Sequence, residues 1–281
     1  MTFALVAESV AIQNCLEEKL KQALFVQKNG VTDLGDSTVT DCLFFGTTES
    51  AEQAVLSGQA HASVHLLATL PTTRTEGLRI GAVLPRMHAG YTLCVWKKYA
   101  DETKILKLPD HADVCISNRF ESAQLTDFRN DFVFRYENVD FFIKKQQKKA
   151  FLLPNFLLSQ INTEDYSLIN LDKTELVPPP AHGVIALQYR KYDTDTEDFL
   201  RNLHCKKTLQ CCNIERETQQ LVGDEAAKNR LGVYCESDEN DNYHAACAWL
   251  DSDKNTLDFF KISQNTRHNL AKAIQKKIEN F

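Results

Sequence analysis

The sequence predicts an α/β protein that ends in a small α+β domain. Three observations carry this reading. β-like runs alternate with helical stretches from Phe3 to Leu171. Pro178-Pro179-Pro180 then breaks the pattern, because three successive prolines exclude helix and favour an extended connector. Three β-like runs and a helix follow in close succession. At 281 residues the chain exceeds one minimal core, and domains usually run about 100–200 residues, so two or three are expected.

The elements follow in order. Phe3–Val6 is a short β-like run. Glu8–Val26 has helical spacing, with Val10, Leu16, Leu20, Ala23 and Leu24 close to one stripe. Cys42–Phe45 reads as a strand and Glu49–Leu56 as a helix that Gly58 ends, since glycine suits a left-handed cap. Ser63–Thr69 and Leu78–Leu84 are β-like. This βαβ order implies a mostly parallel sheet with helices on its faces. Asp113–Ile116, Arg119–Phe128, Phe132–Arg135 and Val139–Lys149 repeat strand, helix, strand, helix. Ala150–Leu153 and Leu168–Leu171 are strands. Lys144–Lys149, four lysines around two glutamines, reads as a solvated helix end. Beyond the prolines, Gly183–Arg190 is β-like, while Asp198–Leu203 and Lys207–Val222 are helical. Leu231–Glu236, His244–Leu250 and Thr256–Ile262 are β-like, with Asp251–Asn255 as a hairpin loop. Arg267–Ile278 closes the chain as a helix.

Composition narrows the function classes. Net charge is −6 and the pI about 5.8, which disfavours nucleic acid and anionic membranes as general partners. No run of about 18 apolar residues occurs, and Met1–Val6 lacks the basic flank of a signal peptide. The nine cysteines are scattered and mostly within apolar runs, as expected of a reducing, cytoplasmic compartment. Cys205, Cys211 and Cys212 cluster, but the adjacent pair does not match zinc-site spacing and fits a buried helix face better. No metal site is expected. No phosphate-binding loop, dinucleotide turn, nucleophile elbow or HExxH motif is present.

One run is specific. Gly77-Leu78-Arg79-Ile80-Gly81-Ala82-Val83-Leu84-Pro85-Arg86, preceded by Leu70-Pro71-Thr72, resembles the hydroxymethylbilane synthase (porphobilinogen deaminase) family. Weaker matches follow the family's order: Glu52 to Gly58, Val64-His65, Ser117 to Leu125, Asn138-Val139, Pro178 to Arg190, and Glu215-Arg216. The resemblance implies two periplasmic-binding-protein-like α/β domains around a cleft plus a small α+β C-terminal domain. It divides the chain into a discontinuous N-terminal domain (1–88 and 176–205), a second α/β domain (89–175) and a C-terminal domain (206–281).

The resemblance also implies a chemistry, used in porphyrin and heme biosynthesis. Family members are transferases that join porphobilinogen units head to tail. An Asp in a KDLPT motif stabilises cationic intermediates, arginines and lysines hold the acetates and propionates, and a Cys anchors a dipyrromethane cofactor. Here the Asp position is Thr69 and the Lys before it Ala68. The paired arginines of the SSLRR segment fall on Phe120 and Glu121. Further arginine positions hold Val6, Phe142, and Tyr136 or Arg135; two lysine positions hold Phe44 and Glu49. The Cys position is Ala227, in a loop with Asp224 and Glu225. Threonine has no ionisable group near neutral pH, and a thioether requires a thiol.

The sequence therefore leads to a divergent, catalytically inactive family member without catalytic residues, dipyrromethane or other cofactor. Thr69, Ser117, Asn118, Arg119, Arg135, Asn138 and His182 are expected at the interdomain cleft, where a small molecule would bind, the first backbone N–H groups after Ile116 remaining open to a small anion. Phe44, Glu49, Phe120, Glu121 and Phe142 are expected to line or border it. His65 is read as a satisfied structural histidine. An active synthase with relocated catalytic groups, and a small-ligand-binding module on the same scaffold, are the alternatives.

Overall fold

The computed structural model describes residues 1–6, 10–30, 41–138, 149–251 and 253–281. They form two compact units. The first joins Met1–Met87 to His182–Gln210, and the second joins His88–Ala181 to Cys211–Phe281.

The first unit holds a five-stranded sheet built from β1 (Thr2–Val6), β2 (Asp41–Phe45), β3 (Ala62–Leu66), β4 (Leu78–Val83) and β10 (Ile185–Arg190), in the order β2-β1-β3-β10-β4. β1 runs parallel to β2 and β3, whereas β10 is antiparallel to β3 and β4. The expected mostly parallel sheet is thus mixed: one strand arrives after the long excursion through the second unit and enters in the opposite sense. Helices α1 (Val10–Gly30) and α2 (Thr48–Leu56) fill the crossovers, as right-handed βαβ connections require. Thr47 caps α2, its hydroxyl accepting from the Ser50 N–H at 3.2 Å. The strand expected over Ser63–Thr69 stops at Leu66 and becomes a 3-10 turn, Leu67–Thr69, whose backbone is held by Leu67 N–H donating to Val184 O at 2.7 Å.

The second unit repeats the order with β5 (Tyr91–Trp96), β6 (Asp113–Ile116), β7 (Val133–Tyr136), β8 (Ala150–Pro154) and β9 (Tyr166–Leu171) as β7-β6-β8-β5-β9. β5 is the antiparallel strand, and sequence reading did not assign it. Helix α3 (Arg119–Phe128) connects β6 to β7. The helix expected over Val139–Lys149 lies outside the described residues except at its last position. The shared order, with one antiparallel strand inserted before the last, gives both sheets the same mixed α/β topology.

Helix α4 (Thr194–Arg201) follows β10 in the first unit, and α5 (Lys206–Val222) leads into the C-terminal sheet. A short helix, α6 (Asp224–Ala227), replaces the loop expected there. β11 (Leu231–Ser237), β12 (Tyr243–Asp251) and β13 (Thr256–Gln264) form an antiparallel meander, and α7 (Leu270–Ile278) closes it. One face of the meander packs Val233, Cys235, Cys247, Trp249 and Phe260 against Cys211 and Ile214 of α5 and Leu270, Ile274 and Ile278 of α7. The other face packs Ala246, Ala248 and Leu250 against Phe120 and Val177.

Candidate functional site

Of the seven expected site residues, Thr69 and His182 belong to the first unit; Ser117, Asn118, Arg119, Arg135 and Asn138 belong to the second.

In the first unit an open pocket, with about 360 Å³ of empty space, is lined by Val6, Ile12, Gly46, Thr47, Thr48, Leu66 and Thr69. The C-terminal ends of β1 and β3 supply its apolar floor, and the start of α2 supplies two hydroxyls. Thr69 donates its single hydroxyl proton to the Leu66 carbonyl at 2.9 Å, which leaves it only lone pairs to offer a ligand. No charged side chain is among the described residues that line this pocket. Phe44 on β2 is nearly half exposed, and Glu49 lies exposed in the first turn of α2, where the helix dipole favours its negative charge. His182 is buried, and its pKa is pushed down to about 3, first by burial and then by the nearby Arg86 cation. It is therefore neutral throughout the physiological range.

In the second unit the start of α3 is filled by its own side chains. The Ser117 N–H donates to Glu121 Oε2 at 2.7 Å, and Asn118 Nδ2 donates to Glu121 Oε1 at 3.0 Å. In return the Glu121 N–H donates to Asn118 Oδ1 at 3.0 Å. This is a reciprocal capping box. The Ser117 N–H, expected to be open to an outside anion, instead holds an internal carboxylate. Burial pushes Glu121 up to about pKa 7, against the hydrogen bonds from Ser117 and Asn118 that favour its charged form. Phe120, expected at a cleft, is buried in the apolar seam against the C-terminal sheet, because its position in the first turn of α3 faces Val177 and Ala246. Arg119 reaches the β12–β13 turn, its Nη2 donating to Asn255 Oδ1 at 2.8 Å. Arg135 pairs with Asp113 across neighbouring strands at 3.0 Å. Tyr136 O–H and Ser122 Oγ lie 3.0 Å apart, and Asn138 is exposed at the end of the described segment. Phe142 lies outside the described residues. Ala227 is buried at the end of α6, against the C-terminal core.

The family model described as "Porphobilinogen deaminase, dipyromethane cofactor binding domain" matches residues 8–198. The chain belongs to the porphobilinogen deaminase family. Among curated relatives, porphobilinogen deaminase of Fusobacterium nucleatum subsp. nucleatum is 24% identical over 212 residues, covering 74% of this chain and 69% of the relative. A probable porphobilinogen deaminase of Sulfurisphaera tokodaii is 25% identical over 236 residues, covering 82% and 78%. Among solved structures, a periplasmic substrate-binding protein of an ABC transporter from Coxiella burnetii is 12% identical at a TM-score of 0.44, covering 74% of this chain and 94% of that one.

The family match corrects the expectation that dipyrromethane has no place in this chain: the matched stretch is the domain that carries this cofactor in the family.

Several buried polar residues escaped sequence reasoning as site-building groups, although two lie inside family matches. Glu215 is fully buried in α5, where Oε2 accepts the Ala181 N–H and Oε1 the Cys235 N–H, both at 2.7 Å. Gln124 of α3 makes a two-way bond to Val177, accepting its N–H at 2.7 Å and donating to its carbonyl at 3.1 Å. These two side chains bond the residues flanking Pro178–Pro180, whose prolines cannot donate, while the Val233 N–H of β11 donates to the Pro178 carbonyl at 3.0 Å.

Proposed function

We propose that this member of the porphobilinogen deaminase family does not polymerise porphobilinogen and serves as a non-catalytic, ligand-binding or regulatory relative of the synthase. The observation that carries this reading is the pocket at Thr69. Where the resemblance requires a carboxylate to stabilise cationic pyrrole intermediates, a neutral hydroxyl is bonded to a main-chain carbonyl. The positions that should pair with acetate and propionate groups support it: Val6 is part of the apolar floor, Phe44 is aromatic, and Glu49 carries the wrong sign. In the second unit Phe120 and Glu121 serve packing and capping.

Expression in a cytoplasmic host that lacks its own hydroxymethylbilane synthase tests the reading. Growth without added heme should not be restored, although the protein accumulates in folded form. Staining with Ehrlich's reagent reads pyrrole content separately, so a cofactor-loaded but inactive protein still agrees with the proposal. Restored growth at a rate near that given by an authentic synthase would overturn it.

A further inference from the structure

Beneath α2 the first unit buries a row of polar side chains that the pocket does not use. Ser63 and His65 alternate along β3, and Gln188 of β10 is the register partner of Ser63. Ala4 of β1, also a register partner of Ser63, packs with Ala51, Ala54 and Val55 of α2, so this is the face that α2 covers. Glu52 of α2 is buried as well, its Oε2 accepting from the Thr75 hydroxyl at 2.9 Å. Exposure is 6% for Glu52, 0% for His65 and 6% for Gln188. Three atoms of this group have no hydrogen-bond partner among the described residues: Glu52 Oε1, His65 Nδ1 and Gln188 Oε1. His65 Nε2 is 2.8 Å from Ser63 Oγ.

Leaving such atoms dry costs about 1–3 kcal/mol each, more for a carboxylate. Two of the three are oxygens that only accept, and the third accepts whenever Nε2 carries the imidazole proton. What satisfies them must therefore donate, and it must fit beneath a helix. We infer that the space between α2 and the β3–β10 ladder is an internal hydration site, where one or two ordered waters donate to Glu52 and Gln188 and reach His65. Proteins hold about one buried water per 27 residues, typically at such sites. The waters would fix α2 on the sheet and so hold Thr47 and Thr48, at the head of that helix, against the Thr69 pocket.

Two measurements on the full chain test this. A crystal structure at about 1.5 Å resolution should show a density peak within hydrogen-bond distance of Glu52 Oε1 and of Gln188 or His65. Oxygen-17 relaxation dispersion should count at least one fewer long-lived water in a folded Gln188→Leu variant than in the wild type. A direct Glu52–Gln188 contact after rotation of the amide would overturn the inference, as would an anomalous peak at the site in crystals soaked with thallium, which would identify a cation. The wild-type crystal decides the matter even if the variant does not fold.

Discussion

At the scale of single residues, two positions where the family resemblance expects charge, Phe120 and Glu121, are occupied by groups with structural partners. Glu121 is the clearest. Its carboxylate closes a capping box yet is buried, and burial wins, raising it from the ordinary 4.5 to about 7. A raised carboxylate means that the folded state holds its proton where the unfolded state has released it. Stability therefore falls as pH rises from about 4.5 through 7. Glu121→Gln should remove that slope, flattening the dependence of urea midpoint on pH across this window; an unchanged slope would assign it elsewhere. Phe120 yields a second prediction. Phe120→Arg restores the family's residue type but puts a guanidinium into a seam of Val177, Ala246, Ala248 and Leu250. It should destabilise by about 3 kcal/mol or more without producing porphobilinogen binding in a calorimetric titration.

At the scale of elements, helices and strands were legible where side-chain period and capping agreed. The bounds of α3 were readable because Asn118 starts the helix and Phe128 ends its apolar stripe. β5 was missed because Tyr91–Trp96 is buried almost throughout and shows no alternation. The ending of β3 at Leu66 was also hidden, since Leu67 and Leu70 continue the apolar run and the turn is held by the Val184 carbonyl and the Thr69 hydroxyl. At the start of α3 the residue types were legible but their partners were not. The three-residue spacing from Asn118 to Glu121 is that of a capping box, a signal that the sequence reading passed over in favour of an open anion site. Glu215 illustrates the same limit: a family match marked it, and only the fold shows that it joins Ala181 to Cys235. Glu215→Ala should strand two buried N–H groups and cost about 3 kcal/mol or more, read as a lower midpoint of thermal unfolding. Glu215→Gln, which keeps one acceptor, should cost less. Equal losses for the two variants would mean that packing volume, not these hydrogen bonds, sets the penalty.

At the scale of the whole molecule, the proposed reading is that residues building the fold persist while residues carrying the family's chemistry do not. Gly81 leaves no room for a Cβ, which would come within 2.7 Å of Leu200 on α4, and Gly232 is as tightly held by the Val177 carbonyl at 2.8 Å. Both five-stranded sheets share one strand order, with the antiparallel strand second to last. On that reading the chemistry needs a carboxylate at Thr69 and cations around it, whereas the described residues that line the pocket offer hydroxyls and aliphatic groups. Adding one carboxylate should not repair this: Thr69→Asp is expected to be as inactive as the parent, because Val6, Phe44 and Glu49 still provide no cation. The most direct measurement is the rate at which the purified wild-type chain converts porphobilinogen to hydroxymethylbilane, read as uroporphyrin after oxidation. That rate should equal the rate of heat-killed protein at every substrate concentration, whereas saturable turnover above that control would show an active synthase.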